Sequence, residues 1–361
     1  MRRQAAEYAS LPMPKLNLDH LFRLTDCTGM IQHSVFSIPD YESGYTTDDN
    51  ARALRAALQL YDLTGDTRLL ELAVRYIGFL AYTQRETGKW RNFVGYTREF
   101  LEEEGSEDSF GRAVHACSFA ARTRAHGGIA RLANQLLERA LPWVSSLRAP
   151  RAMAFCIAGL AELHYEHPDP KIYSLMCTLA DSLVELYRSA SDAKKKWHWF
   201  EDRLTYCNAA FSKAFFLAYM ASEKHIYLKI ARESLDFLSS AMFKGGKLKV
   251  IGNHGWWLKG ARPAEFDEQP VDAGLMVEAF LAGYSATEDS SYYSQAIDAF
   301  AWFLGRNSIG VHLYDPGTGG CFDGITPDGA NLNQGAESLL AYMLAYLKLR
   351  EMEVKRNEAA G

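Results

Sequence analysis

The chain has no excess of basic charge: 39 Lys and Arg stand against 44 Asp and Glu in 361 residues, a net charge of −5. Binding to phosphate backbones needs a dense cationic surface, so nucleic acid is not expected as a partner. The one basic run, Lys194 to Lys196, is short. No stretch approaches the roughly 18 apolar residues of a membrane-crossing helix, and no apolar segment follows the basic N-terminus, so neither a membrane span nor a secretory leader is expected. The six cysteines (Cys27, Cys117, Cys156, Cys177, Cys207 and Cys321) include no Cys-x-x-Cys pair. That excludes the usual zinc and dithiol spacings and reads as a reduced, cytoplasmic protein.

Nucleotide and metal motifs are also missing. There is no Gly-x-x-x-x-Gly-Lys loop and no Gly-x-Gly-x-x-Gly opening a helix. An Asp-x-Asp-Asp motif fails because Thr46 stands two before Asp48, and Asp-Asp-x-x-Asp fails because Arg52, with Ala53 after it, stands where the last Asp would be. No Cys and His cluster marks a zinc site at a helix start. No metal and no cofactor is expected.

What is present is a repeat. Small-residue helical segments open on Asn50-Ala51, Arg112-Ala113, Arg151-Ala152, Asn208-Ala209, Asp272-Ala273 and Gly335-Ala336, with successive alanines spaced by 62, 39, 57, 64 and 63 positions. Between them lie amphipathic segments, near 67–85, 129–146, 170–190, 224–243 and 289–305, with Lys15 to Leu24 as a sixth. Small-residue helices suit an inner layer touched on several sides, and amphipathic ones an outer layer with one wet face. The expectation is an all-α fold, an (α/α)6 toroid with long loops and short β-hairpins on one rim. It spans 1–361 as one domain, with flexible ends at about 1–13 and 354–361.

The connections are unequal. Inner-to-outer turns are short, as in Leu63-Thr-Gly-Asp-Thr67, whereas outer-to-inner loops near 30–47, 86–110, 191–205, 244–270 and 306–333 are long. Loops of that length are usually functional, and all of them emerge on the rim where inner helices begin. They carry Trp90, Trp197, Trp199, Trp256 and Trp257. Tryptophan faces suit the C–H faces of sugars, with packing of the loops as the alternative. The same loops end in acidic clusters: Asp48-Asp49, Glu107-Asp108, Glu201-Asp202, Asp267-Glu268-Gln269 with Asp272, and Glu337. Capping needs one short side chain per helix, not carboxylate doublets.

Converging carboxylates and aromatics point to glycoside cleavage, which needs one acid to protonate the leaving oxygen and a second carboxylate to activate water or attack. Asp202 or Glu201, between Trp199 and Tyr206, is expected as a buried acid with raised pKa. Asp49 or Asp48, at a helix N-terminus, is expected as the ionised base. Substrate contacts are expected from Trp90, Asp108, Arg112, Trp199, Tyr206, Trp256, Trp257, Asp267, Glu268, Gln269, Asp272 and Glu337. A loop-histidine pair drawn from His33, His198, His254 and His312 would instead suit a sugar epimerase. His115 reads as core or pocket lining, and the turns of Gly317-Thr-Gly-Gly320 as a loop folded over the rim.

Four stretches in order carry a resemblance: Gly44-Tyr-Thr-Thr-Asp-Asp-Asn-Ala-Arg-Ala53, Trp199-Phe-Glu-Asp-Arg-Leu-Thr-Tyr206, Asp267-Glu-Gln-Pro-Val-Asp-Ala273 and Asn333-Gln-Gly-Ala-Glu-Ser338. Together they resemble the six-hairpin glycosidase-like superfamily, and in particular a helical domain appended in some bacteria to retaining-type glycosyltransferases. Cys207 departs from that pattern, where Asp is the more usual residue. The resemblance implies an oligosaccharide substrate, inversion of configuration, and functional association with a glycosyltransferase. A noncatalytic carbohydrate-binding domain is the other outcome it allows.

Overall fold

Twelve helices alternate between two layers in the computed structural model, which describes residues 13–360. In chain order they are α1 (Asp19–Arg23), α2 (Thr47–Thr64), α3 (Thr67–Thr83), α4 (Glu107–Ala121), α5 (Gly127–Val144), α6 (Pro150–Glu166), α7 (Pro170–Ala190), α8 (Ala210–Ser222), α9 (His225–Met242), α10 (Pro270–Thr287), α11 (Ser290–Phe300) and α12 (Ala336–Ala360). The even-numbered helices form the inner layer. Each packs against the next, α2 on α4, α4 on α6 and onward, and α12 returns to α2, so the ring closes. This is the expected (α/α)6 toroid.

Sequence explains the two layers. Along α10 nearly every residue from Pro270 to Gly283 is buried, whereas α3 buries one face only, through Leu69, Leu72, Ala73, Tyr76 and Leu80. Glycines let inner helices approach closely. A Cβ on Gly111 would lie 2.7 Å from Ala152 O, and one on Gly274 2.7 Å from Ala341 O. The sixth outer segment is shorter than expected, because the chain leaves α1 at Leu24 and turns into a hairpin. The stretch from 354 onward, expected as a tail, continues α12 to Ala360; most of the expected N-terminal flexible segment lies outside the described residues.

Inner-to-outer turns are as short as the sequence implies, and Gly65 closes α2 with φ +69°. The long loops on the other rim are knitted into a collar. Strands β1 (Ile31–Val35), β2 (Ile38–Thr46) and β3 (Phe93–Val94) form one small sheet joining the first two loops. Downstream, β4 (Arg203–Leu204) pairs across loops with β5 (Trp257–Leu258), and Glu268 bridges Ile325. Asn333 and Gln334 bond Phe36, joining the last loop to the first.

Candidate active site

Six helix starts converge inside this collar, and with them the positive ends of six helix dipoles. Thr46 caps α2: its hydroxyl accepts from Asp49 N at 3.0 Å and donates to Asp49 Oδ2 at 2.6 Å, which turns the Asp49 carboxyl inward. One turn on, Arg52 Nη2 spans Asp49 at 2.7 Å and Asp48 at 2.9 Å, while its Nη1 reaches Glu337 on α12 at 3.1 Å. Arg112 on α4 meets the same Asp48 oxygen at 3.0 Å and donates to Cys207 Sγ at 3.2 Å. Arg151 on α6 donates to Glu201 at 2.8 Å and to the Tyr206 carbonyl at 2.6 Å. The Tyr206 hydroxyl donates to Asp108 at 2.5 Å. Asp272, in the first turn of α10, accepts from Asn208 N at 3.1 Å. Three arginines and six carboxylates from across the ring thus share one floor. A small cavity of about 30 Å³ lies beneath it, lined in part by Arg52, Arg112 and His115.

Burial decides the proton balance. Asp272 is 2% exposed, its Oδ2 has no partner, and desolvation pushes its carboxyl up to about 7. The Asn208 amide and Arg151 oppose that rise, and the Glu337 charge adds to it. Burial also raises Asp49, to about 6, against the pull of Arg52 and with the push of Asp48. The Cys207 thiol is driven up to about 12 by burial, and its backbone sits at φ +51°. A thiol in that state is a poor nucleophile.

Several expected roles change. Asp202 is an exposed side chain paired with Arg203 at 2.9 Å, and that hydrogen bond lowers its pKa, so it is not a buried acid. The short β4–β5 pairing carries this segment out of the floor; Glu201 stays, held by Arg151. Asp49, expected as the ionised partner, is instead a buried carboxyl raised by desolvation. Trp90 and Trp199 are fully buried, and Trp90 Nε1 donates to Leu80 O at 2.9 Å. Trp257 stands edge-on to buried Trp197 at 5.3 Å. These rings pack the collar and are not open sugar platforms. Trp256 remains half-buried, 6.2 Å from the Tyr206 ring. Glu268 is wholly buried, accepting from Trp302 Nε1 at 3.0 Å and from Ser308, so it ties two loops together. Asp267 and Gln269 lie on the return into α10, half-buried. Asp108, Arg112, Tyr206, Asp272 and Glu337 do line the floor. Arg52, Arg151 and Asn208 were not expected as site residues, although each stands beside a repeat alanine or within a quoted motif.

No family model matches the chain, and no curated protein matches it in sequence. Solved structures match in fold. Cellobiose 2-epimerase from Bacillus thermoamylovorans B4167 superposes with a TM-score of 0.74 at 13% identity, over 98% of this chain and 100% of that one. A D-mannose isomerase gives 0.71 at 13%, over 92% and 96%. The GH76A α-1,6-mannanase from Salegentibacter sp. HEL1_6 gives 0.63 at 12%, over 92% and 96%. The chain shares the (α/α)6 toroid with sugar epimerases, sugar isomerases and glycan hydrolases alike.

Proposed function

We propose that the chain is a glycoside hydrolase acting on an oligosaccharide, with Asp272 as general acid and Glu337 as general base. The observation that carries this is the Asp272 carboxyl: buried, half-unpartnered and keeping a proton on about half of the molecules at neutral pH, on a rim where Asp48, Asp49, Glu201 and Glu337 are held by arginines. Such a group can give a proton to a leaving glycosidic oxygen. Glu337, on the adjacent inner helix, has a side chain 46% exposed and one oxygen on Arg52, which leaves the other to take a proton from water. Water then attacks the anomeric carbon as the bond to the protonated oxygen breaks, with inversion. Asp48, Asp49 and the arginines hold the floor rigid, while Tyr206 and Trp256 offer ring faces to a sugar.

The second reading, a sugar epimerase, draws on the 0.74 superposition with cellobiose 2-epimerase. Against it, His33, His254 and His312 are exposed on the collar, and none of the four loop histidines bonds to a floor residue. Incubation with gluco-, manno- and galacto-oligosaccharides followed by chromatography tests the proposal. New reducing ends, lost in Asp272→Asn and Glu337→Gln, are expected; an altered sugar of unchanged length would support the epimerase.

A further inference from the structure

The inner helices end at the opposite mouth, where a cavity of about 540 Å³ runs up the axis of the ring. Its mouth mixes apolar side chains, Phe119, Tyr165, Leu217 and Met220, with the charged Asp62, Glu166, Glu351 and Glu358. Its deep end is charged. Arg55, Lys213 and Glu278 are each less than a tenth exposed, and Glu278 pairs with Lys213 and, at 3.5 Å, with Arg55. On the facing wall Arg122 meets Glu162 at 3.3 Å. The negative ends of six helix dipoles explain the cations, but they oppose the carboxylates. Buried ion pairs carry a large desolvation cost, and apolar side chains of equal volume would hold the ring more cheaply.

Two features describe what the cavity accepts. First, its lining is rich in hydrogen-bonding side chains, among them Arg55, Gln59, Glu162, Lys213, Glu278 and Ser285. Second, the lining carries no excess of cations: Arg55, Arg122, Lys213, Lys348 and Lys355 face Asp62, Glu162, Glu166, Glu278, Glu351 and Glu358. The wall thus offers donors and acceptors with no net positive charge to favour a phosphate or carboxylate. Sugar hydroxyls donate, accept and carry no charge, and the rings of Phe119 and Tyr165 suit the C–H faces beside them. The volume lies in the range of small-molecule sites, roughly 300 to 1,000 Å³. We infer that this axial cavity is a second, noncatalytic binding site for a neutral polyhydroxylated ligand of mono- to disaccharide size. It stands apart from the rim chemistry, although Arg55 is one helical turn below Arg52 and lines both cavities.

Titration calorimetry with glucose, mannose, cellobiose and inositol, and with glycine and inorganic phosphate as charged controls, tests this. At least one neutral probe is expected to bind better than both controls. Its affinity should fall at least tenfold in Ser285→Trp or Met220→Trp, which fill the mouth from exposed or half-buried positions, and change less than twofold in Glu337→Gln. Hydrogen exchange on the unaltered chain gives an independent reading: the probe should slow amides at the ends of α2 and α10, not at their starts. No neutral probe binding above the controls, binding indifferent to both fillers, or protection confined to the helix starts would overturn the inference. Loss of hydrolysis in Glu337→Gln with probe binding intact separates this site from the rim proposal.

Discussion

Replacing Asp272 with Asn separates the charge of this side chain from its shape. The amide is isosteric, and its Oδ1 can still accept from Asn208 N, at 3.1 Å in the parent. The parent carboxyl holds its proton up to about 7 when folded, against 3.8 as the reference value. Between those values the folded chain binds more protons than the unfolded one. The stability contributed by this group is therefore full below the lower value and is lost as pH rises through the upper one. At 1.36 kcal/mol per unit, the cost of ionising it in place is roughly 4 kcal/mol at about pH 8, and only about 1.6 kcal/mol at about pH 5. Asn carries no such cost. Relative to the parent, Asp272→Asn should gain about 2 to 3 kcal/mol in chemical denaturation on moving from about pH 5 to about pH 8. Hydrolysis should fall about 100- to 10,000-fold in the same variant. A stability gap that does not change with pH would refute the buried-acid reasoning, and full activity would refute the role.

Asp202→Asn, at an exposed ion pair, should keep steady-state rates within about twofold and leave the denaturant midpoint unmoved. Arg52→Met leaves Asp48, Asp49 and Glu337 without their shared cation and should cost about 3 to 5 kcal/mol at neutral pH, with part of it recovered as Asp49 protonates in acid. Trp199→Ala should cost about 3 to 5 kcal/mol in stability, as removal of a buried ring does, without a selective rise in KM.

The toroid is readable in the chain because its two layers impose different residue sizes. The segment expected at 170–190 matches α7 residue for residue, and the others match within a few residues apart from α1 and the end of α11. The repeat marks the floor as well: Arg112, Arg151, Asn208 and Asp272, each preceding a repeat alanine, all reach it. What the chain conceals is set by distant contacts. Asp272 is placed by Asn208, 64 residues away. Asp202 is turned outward because Arg203 and Leu204 pair with residues 257 and 258 in another loop. Tryptophan in a loop has the same composition whether it lines a cleft or packs the collar, and Trp199 differs from Trp256 only in what covers it.

Proton NMR of the chain acting on an oligosaccharide in D2O tests the rim chemistry most directly. Carboxylate hydrolysis predicts new reducing-end signals, of inverted anomeric configuration at first appearance, with the C2 proton retained. Exchange of the C2 proton for deuterium with no new reducing end would contradict the account.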